Sequence, residues 1–364
     1  MKVGVVGLGW AGQQHIDAYR EIDGVELIGI AGLEDEVRAE LVAEHSVPND
    51  FARWEDLLEL EGLEAVSIAV PTFLHAPIAV AALERGLHVL SEKPIALNGE
   101  QAGAMVSAAR SAGRVLDVAF NHRRRGDVQR LRQEIDAGRL GRTYYAKAWW
   151  LRRTGIPKAG SWFTRSELAG GGPLVDIGVH VLDYALFLLG NPGVRTVSAS
   201  TYDLLGTNGF GTSETSNKTS AGDGVERFDV EDLATVFMRL DDGGTLLLEA
   251  SWAAHRADGD QFGATLYGTE GGAEWYVDDY IDVGSLKLFG DHEGTATAES
   301  IEAEPGGKHL AVVQEFVDTV RSGDWQGHDG AGAAQLARIV DACYESARER
   351  REVTLDATSI LNAS

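Results

Sequence analysis

Short apolar runs alternate with helical patterns through the first third of the chain. Lys2–Val6, Val25–Ala31, Ala65–Val70, His88–Leu90 and Val115–Phe120 read as buried strands. Between them, Gln13–Ile22, Glu36–His45, Trp54–Leu60, His75–Gly86 and Gly99–Gly113 carry helical spacing. Strands alternating with helices of this length predict βαβ units and a parallel sheet that ends near Phe120. Beyond that point the period shortens to two. Thr143–Leu151, Arg195–Tyr202, Glu231–Leu240, Thr245–Trp252, Gly263–Tyr267, Glu274–Val277 and Ser285–Leu288 alternate between polar and apolar. Turn signals such as Asp241-Asp242-Gly243-Gly244 and Glu270-Gly271-Gly272 separate them and predict a large, mostly antiparallel open sheet. An apolar helix beginning near Leu174 and running to 189 packs on one face of it. Leu205–Gly224 reads as a long loop, and helices at His309–Arg321 and Ala331–Arg350 close the chain.

The fold class is therefore α/β: a nucleotide-type parallel domain over 1–121, then an α+β domain over 122–364 that includes the closing helices. At 364 residues two domains are expected. No run of about 18 apolar residues stands out, and the glycine-broken N-terminus does not read as a signal peptide. With a single cysteine, Cys343, the chain reads as a soluble cytoplasmic protein of a reducing compartment. The net charge of −24 argues against nucleic acid, whose phosphates demand basic surface. The charge is uneven: residues 122–168 carry 12 Lys/Arg against 4 Asp/Glu, including Arg123-Arg124-Arg125.

The first strand ends in Gly7-Leu8-Gly9-Trp10-Ala11-Gly12, the G-x-G-x-x-G pattern between a strand and a helix. There the first glycine allows the turn, the second admits a pyrophosphate, and the third lets helix meet strand, which predicts a Rossmann dinucleotide site. The helix N-terminus then faces the phosphates. An acidic residue for the ribose hydroxyls is expected near the end of the second strand. The natural position is Gly32, with Glu34 and Asp35 just after it and no Arg among them. This favours NAD, with Glu34 on the ribose. Open α/β sheets bind ligands at the carboxyl ends of their strands. Pro71-Thr72-Phe73-Leu74-His75 and Ser91-Glu92-Lys93-Pro94 lie there, as does Asn121.

The run Gly170-Gly171-Gly172-Pro173-Leu174-Val175-Asp176-Ile177-Gly178-Val179-His180 leads into the apolar helix. Asp176 and His180, four apart, share one face of it. Oxidising a secondary alcohol needs a base for its proton, and His180 suits that task near neutral pH. Asp176 would orient substrate or tune His180, and a Lys93 ammonium would stabilise developing alkoxide. No third ligand at sensible spacing makes the pair a metal site. Arg152, Arg153 and Trp162, from the aromatic and basic stretch before the glycine run, suit a carbohydrate ring and its hydroxyls.

Four motifs in this order resemble the glucose–fructose oxidoreductase / inositol dehydrogenase (Gfo/Idh/MocA) family of NAD(P)-dependent sugar oxidoreductases. They are Gly7–Gly12, Val70-Pro71-Thr72-Phe73-Leu74-His75-Ala76, His88–Pro94 and Gly170–His180. The resemblance implies that Lys93 contacts the reacting hydroxyl and the nicotinamide region. It implies that Asp176 holds a neighbouring hydroxyl and that His180 is the general acid/base. Cofactor contacts would fall on Gly7, Leu8, Gly9, Trp10, Ala11, Gly12, Glu34, Pro71, Thr72, His75, Glu92 and Lys93. Gly32, where many relatives carry Asp, leaves NADP open beside NAD. The expected activity is hydride transfer between nicotinamide and a secondary hydroxyl of a sugar, polyol or glycoside, in a homodimer or homotetramer. A redox-neutral, NAD-assisted attack on glycosides and a non-catalytic sugar or NAD sensor are the alternatives.

Overall fold

The computed structural model describes residues 1–158, 160–210 and 228–355. It divides into two units, one of residues 1–121 and 307–337, the other of 122–306 with 338–355.

The first unit begins β1 (Lys2–Val6), α1 (Trp10–Glu21), β2 (Glu26–Ala31), α2 (Asp35–His45), β3 (Asp50–Phe51) and α3 (Trp54–Leu58). It continues β4 (Ala65–Ile68), α4 (His75–Glu84), β5 (His88–Ser91), α5 (Gly99–Ala112) and β6 (Leu116–Val118). Among the described residues the strands make one parallel sheet in the order β3-β2-β1-β4-β5-β6. Val3, Val5, Ala65, Val66, Val89 and Leu90 are buried, because helices cover both faces of such a sheet. Cap chemistry sets the helix ends. The Asn98 side chain accepts from Gln101 N at the start of α5, and Gly113 at φ +58 stops it.

The second unit contains α6 (Gly126–Asp136), β7 (Thr143–Arg152), α7 (Ser166–Ala169) and α8 (Val179–Leu188). Its strands continue as β8 (Val194–Tyr202), β9 (Leu233–Leu240), β10 (Thr245–Ser251), β11 (Asp260–Gly268), β12 (Gly272–Asp278), β13 (Ser285–His292) and β14 (Thr295–Ser300). The chain then forms α9 (Lys308–Ser322), α10 (Ala331–Glu349) and β15 (Val353–Thr354). The sheet order is β14-β13-β12-β11-β7-β10-β9-β8-β15, antiparallel except for the β7–β10 pair. In β7 and β10 the residues Ala146, Ala148, Trp150, Leu246, Leu248 and Ala250 are buried on the face that α8 covers. Tyr145, Lys147, Leu247 and Glu249 alternate onto the opposite face, only half buried.

Several expectations change. Residues 307–337 pack with the first unit, not the second: Val312, Val313, Phe316 and Val317 of α9 share a core with Ile16, Tyr19 and Leu90. The site helix opens with a π turn over Leu174–Gly178 before α8 begins. Besides the short β3, α7 and β15, strand β14 and helix α6 went unforeseen for want of an apolar signal. All six residues of β14 are exposed, and of the four buried residues of α6 two, Asp127 and Glu134, are acidic. By length and composition the helical stretch Ser166–Leu188 is apolar enough to cross a membrane, but 89% of that window is buried inside the protein, which marks a core helix. Of the Leu205–Gly224 loop, residues 205–210 include a short turn at Gly206–Asn208; the remainder lies outside the described residues. Cys343 is buried, and burial pushes its thiol up to about 12, so it packs as a small hydrophobe.

Candidate active site

Three glycines shape the turn after β1 in three ways. Gly7 lies at φ +94, and a Cβ there would meet Ala69 O at 2.2 Å. A Cβ on Gly12 would meet Gly7 O at 1.9 Å, so helix and strand approach at backbone distance. Gly9 faces open space, with nothing within 4 Å of its would-be Cβ. The first turn of α1 holds no acidic residue, leaving its positive end available to an anion. Leu8 is buried, Ala11 is half buried, and Trp10 is 69% exposed with its ring edge-on to His309 at 5.2 Å. These features fit a dinucleotide pyrophosphate.

At the end of β2, a Cβ on Gly32 would come within 2.7 Å of Leu8 Cδ1, which explains why an acidic side chain is absent there. Glu34 is exposed and extended, and its side chain caps nothing. Arg38, overlooked in the linear reading, reaches back from α2 and donates from Nη1 to Gly32 O at 2.7 Å.

After β4, Pro71 leads a short turn with Thr72 buried. His75 is 1% exposed, with Nδ1 2.8 Å from Pro94 O and Nε2 2.8 Å from Val70 O. Burial lowers its pKa, opposed by those two carbonyls. Its ring therefore sits between the β4 loop and the Lys93–Pro94 segment, the neutral imidazole donating its one N–H to one of the two carbonyls. The Glu92 carboxylate takes Lys93 N–H at 3.1 Å through Oε2 and lies 3.2 Å from His15 Nε2 through Oε1. His309 Nε2 stands 3.8 Å from the same Oε1, and Asn121 Nδ2 lies 3.4 Å from that ring. Burial works to raise the Glu92 carboxyl, but the His15 hydrogen bond with the charges of His15, His309 and Lys93 brings it down to about 2. Burial holds His309 down at about 4. The Lys93 backbone is thus anchored by a buried anion, and its side chain is half buried.

In the second unit the glycine run is strapped from behind. The Glu231 carboxylate accepts Gly172 N–H at 2.9 Å, Leu174 N–H at 3.0 Å and the Tyr344 hydroxyl at 2.9 Å. A Cβ on Gly171 would meet Tyr344 Oη at 1.9 Å and one on Gly172 would meet Glu231 O at 2.1 Å, which is why glycine occupies both positions. Gly178 brings the helix onto β10, its would-be Cβ 3.1 Å from Ala250 Cβ. Asp176 sits in the π turn, where Oδ2 accepts from the indole of fully buried Trp252 at 2.9 Å. His180 is 5% exposed, its ring 4.6 Å from His122 and 5.9 Å from Trp150. Phe262 continues this wall, 5.0 Å from His122 and 4.6 Å from Trp150.

Arg152 donates from Nε to Asp260 Oδ2 at 2.7 Å and also to the Tyr280 hydroxyl, while the Trp150 indole donates to Asp260 Oδ1 at 2.7 Å. Burial opposes its charge, but Tyr280, Asp260 and Asp176 together raise the Arg152 pKa, which places Asp176 in the same electrostatic cluster. Burial raises the Asp260 carboxyl against the pull of Arg152. Arg153 is exposed and donates to Arg256 O at 2.6 Å. Trp162 is half buried and stacks on Phe163 at 3.7 Å, with no ring contact to the His180 wall among the described residues. Thus Asp176, His180 and Arg152 join one neighbourhood. His122, Trp252, Asp260, Phe262 and Tyr280, which also build it, escaped the linear reading. His122 alone carried a usable signal, as the neighbour of Asn121. Among the described residues no group of three His, Cys, Asp or Glu side chains is placed to hold a metal.

Comparison with known proteins agrees with this fold. Residues 1–120 match the model of an oxidoreductase family with an NAD-binding Rossmann fold, and residues 128–274 match the GFO/IDH/MocA C-terminal domain. The chain is 30% identical to D-glucoside 3-dehydrogenase of Escherichia coli K12 over 98% of this chain and 97% of that one. It is 28% identical to levoglucosan dehydrogenase of Pseudarthrobacter phenanthrenivorans over 95% and 96%. A solved levoglucosan dehydrogenase in complex with NADH and levoglucosan superposes with a TM-score of 0.83 at 26% identity, covering 97% of this chain and 99% of that one.

Proposed function

The chain belongs to the Gfo/Idh/MocA family of NAD-binding oxidoreductases, and from that premise we propose that it oxidises a secondary hydroxyl of a neutral sugar or glycoside. The observation that carries the substrate class is the edge of the His180 neighbourhood, where the 47% exposed ring of Tyr280 stands over a buried aromatic floor of Trp150 and Phe262, in the same electrostatic cluster as the Asp176 carboxylate. Apolar C–H faces of a pyranose suit such rings, and its hydroxyls suit such edges. Arg152 is engaged by Asp260 and Tyr280, and Arg153 by a carbonyl, which favours an uncharged sugar over a phosphate or uronate.

His180 takes the proton of the reacting hydroxyl, and Asp176, fixed by Trp252, orients the neighbouring hydroxyl. Lys93 supports the developing alkoxide, while the Glu92 anchor fixes its backbone. A nicotinamide held there would supply the hydride acceptor. Gly7, Leu8, Gly9, Trp10, Ala11 and Gly12 would hold its pyrophosphate, Pro71, Thr72, His75 and Asn121 would shape the edge of the site, and Glu34 would take the adenosine ribose. Arg152 completes the substrate side. Residues 1–121 serve the cofactor and the remainder serves the substrate, with residues 307–337 bracing the former.

The open face of the second sheet supports a homodimer or homotetramer. Tyr145 stacks on Tyr267 there, Lys147 pairs with Glu249, and Tyr267 is 49% exposed. The buried, unreactive cysteine and the mostly buried apolar helix suit a cytoplasmic enzyme. The test follows nicotinamide absorbance with NAD and a panel of aldoses, polyols, glycosides, uronates and sugar phosphates. Reduction with neutral sugars or glycosides, abolished by Lys93→Met and His180→Ala, is the expected result. Turnover only of the anionic sugars overturns the substrate class, and normal turnover of either variant removes that residue from the mechanism.

A further inference from the structure

The carboxyl end of β2 is where a doubly wound sheet distinguishes its two dinucleotides: an acidic group serves free ribose hydroxyls, and a cation serves a 2′-phosphate. Here Gly32 supplies no side chain, and Leu8 occupies the space one would take. The group that does stand there is the Arg38 guanidinium, held against Gly32 O. Each of its nitrogens has a partner. Nη1 donates to Gly32 O at 2.7 Å, Nη2 to Asp35 Oδ1 at 2.6 Å and Nε to Asp50 Oδ2 at 3.1 Å. The Arg38 side chain is only 12% exposed, whereas Asp35 is 86% exposed. Glu34 and Glu36 flank the pair on the same helix start, both exposed. Two carboxylates therefore hold this cation, and with Gly32 O they take three of its five N–H donors, one on each nitrogen.

We propose that Arg38 is a clamped 2′-phosphate receptor, and that Asp35 and Asp50, by holding its donors, make this chain select NAD over NADP. A guanidinium fork suits a phosphate as well as it suits a carboxylate, so the clamps compete directly with the ligand. A dianionic 2′-phosphate arriving here meets a fork already held by two carboxylates, one of them exposed, while a ribose diol meets the acceptor oxygen of Glu34. The inference rests on the cofactor site alone and is independent of the sugar reading.

The test is equilibrium binding of NADH and NADPH by nicotinamide fluorescence to the full-length protein, which requires no sugar. The unmodified chain is expected to hold NADH at least roughly tenfold more tightly, the worth of about one charge-assisted hydrogen bond. Asp35→Ser with Asp50→Asn should narrow that ratio by roughly tenfold through a gain in NADPH affinity, with NADH affinity held. Adding Arg38→Ala should remove the gain, and raised salt should shrink it. Asp35→Ser alone, at an exposed position, gives an intermediate ratio and covers the case in which the double variant folds poorly. An unmodified chain that binds both cofactors equally overturns the proposal. So does a ratio unmoved by Asp35→Ser, or an NADPH gain that survives Arg38→Ala, since relief of repulsion would then account for it.

Discussion

The Gly7–Gly12 turn is shaped by what its residues lack, whereas the neighbourhood of His180 is shaped by what distant residues bring. In the turn, missing side chains decide everything: Gly12 closes on Gly7 O, and Gly9 leaves open space. Around His180 the contributors are His122, Trp150, Trp252, Phe262 and Tyr280, drawn from the segment before α6 and from the strands and loops of the nine-stranded sheet. A phosphate has one shape in every dinucleotide, so backbone amides suffice for it. Sugars differ by the direction of single hydroxyls, and only side chains can be varied to suit that.

The largest expected effect comes from breaking the turn. Gly12→Val forces a side chain into Gly7 O and should cost about 3 kcal/mol or more, read as a fall in thermal midpoint or as no folded protein. Gly9→Ala adds a methyl to open space, so folding should be unchanged while NADH affinity drops at least roughly tenfold. If the two variants behave alike in both assays, the glycines do not have separate duties and the contrast drawn above fails.

Next in size is the strap behind the second site. Glu231→Ala leaves two buried backbone N–H groups and the Tyr344 hydroxyl without their acceptor, at about 2–3 kcal/mol in thermal unfolding. Tyr344→Phe removes only one of the three bonds and should cost about 1 kcal/mol. Because Glu231 holds the start of the turn that carries Asp176, Glu231→Ala should lower kcat more than it raises KM, with Tyr344→Phe near normal. A Glu231→Ala protein as stable as its parent would show that the glycine run needs no side-chain anchor.

The two regions also differ in how far they could be read along the chain. The phosphate turn, both loops at the strand ends and the Asp176–His180 pair are contiguous, so spacing alone brings them forward. Arg38 was missed because its guanidinium travels back along α2 to the strand end, and a window over residues 32–36 does not contain it. Asp260 and Tyr280 were missed because they reach Arg152 only through the β7–β11 pairing and the turn after β12, contacts that span 108 and 128 residues. The π turn at Asp176 left no periodic trace, since Leu174–Gly178 is apolar enough to pass for the start of an ordinary helix. Strand β14 shows the same limit from the other side, because an edge strand exposed along its whole length has no alternation to read.

Two buried glutamates turn the comparison into opposite pH signs. Glu92 in the first unit is faced by His15, His309 and Lys93, which bring its carboxyl down to about 2 despite burial. Glu231 in the second unit is raised by burial, against the neutral donors of Leu174, Gly172 and Tyr344. A depressed carboxyl gives stability that is complete above its unfolded value of 4.5 and is lost as pH falls toward about 2. A raised one is at full advantage below 4.5 and loses it as pH climbs through its folded value. His309, held at about 4 from 6.5, stays neutral in the fold, so its unfolded form gains protons first and stability falls between pH 6.5 and 4. Thermal midpoints against pH should therefore drop on the acid side in two stages. His309→Gln should make the upper stage shallower, since buried His75 and His88 also feed it, and Glu92→Gln should do the same to the lower one, each by roughly 3 kcal/mol at most. Glu231→Gln should leave both stages in place and remove only a decline above pH 4.5. If Glu231→Gln flattened the acid limb as Glu92→Gln does, neutral donors would be holding a buried charge as firmly as imidazoles do, and the electrostatic half of the contrast would be gone.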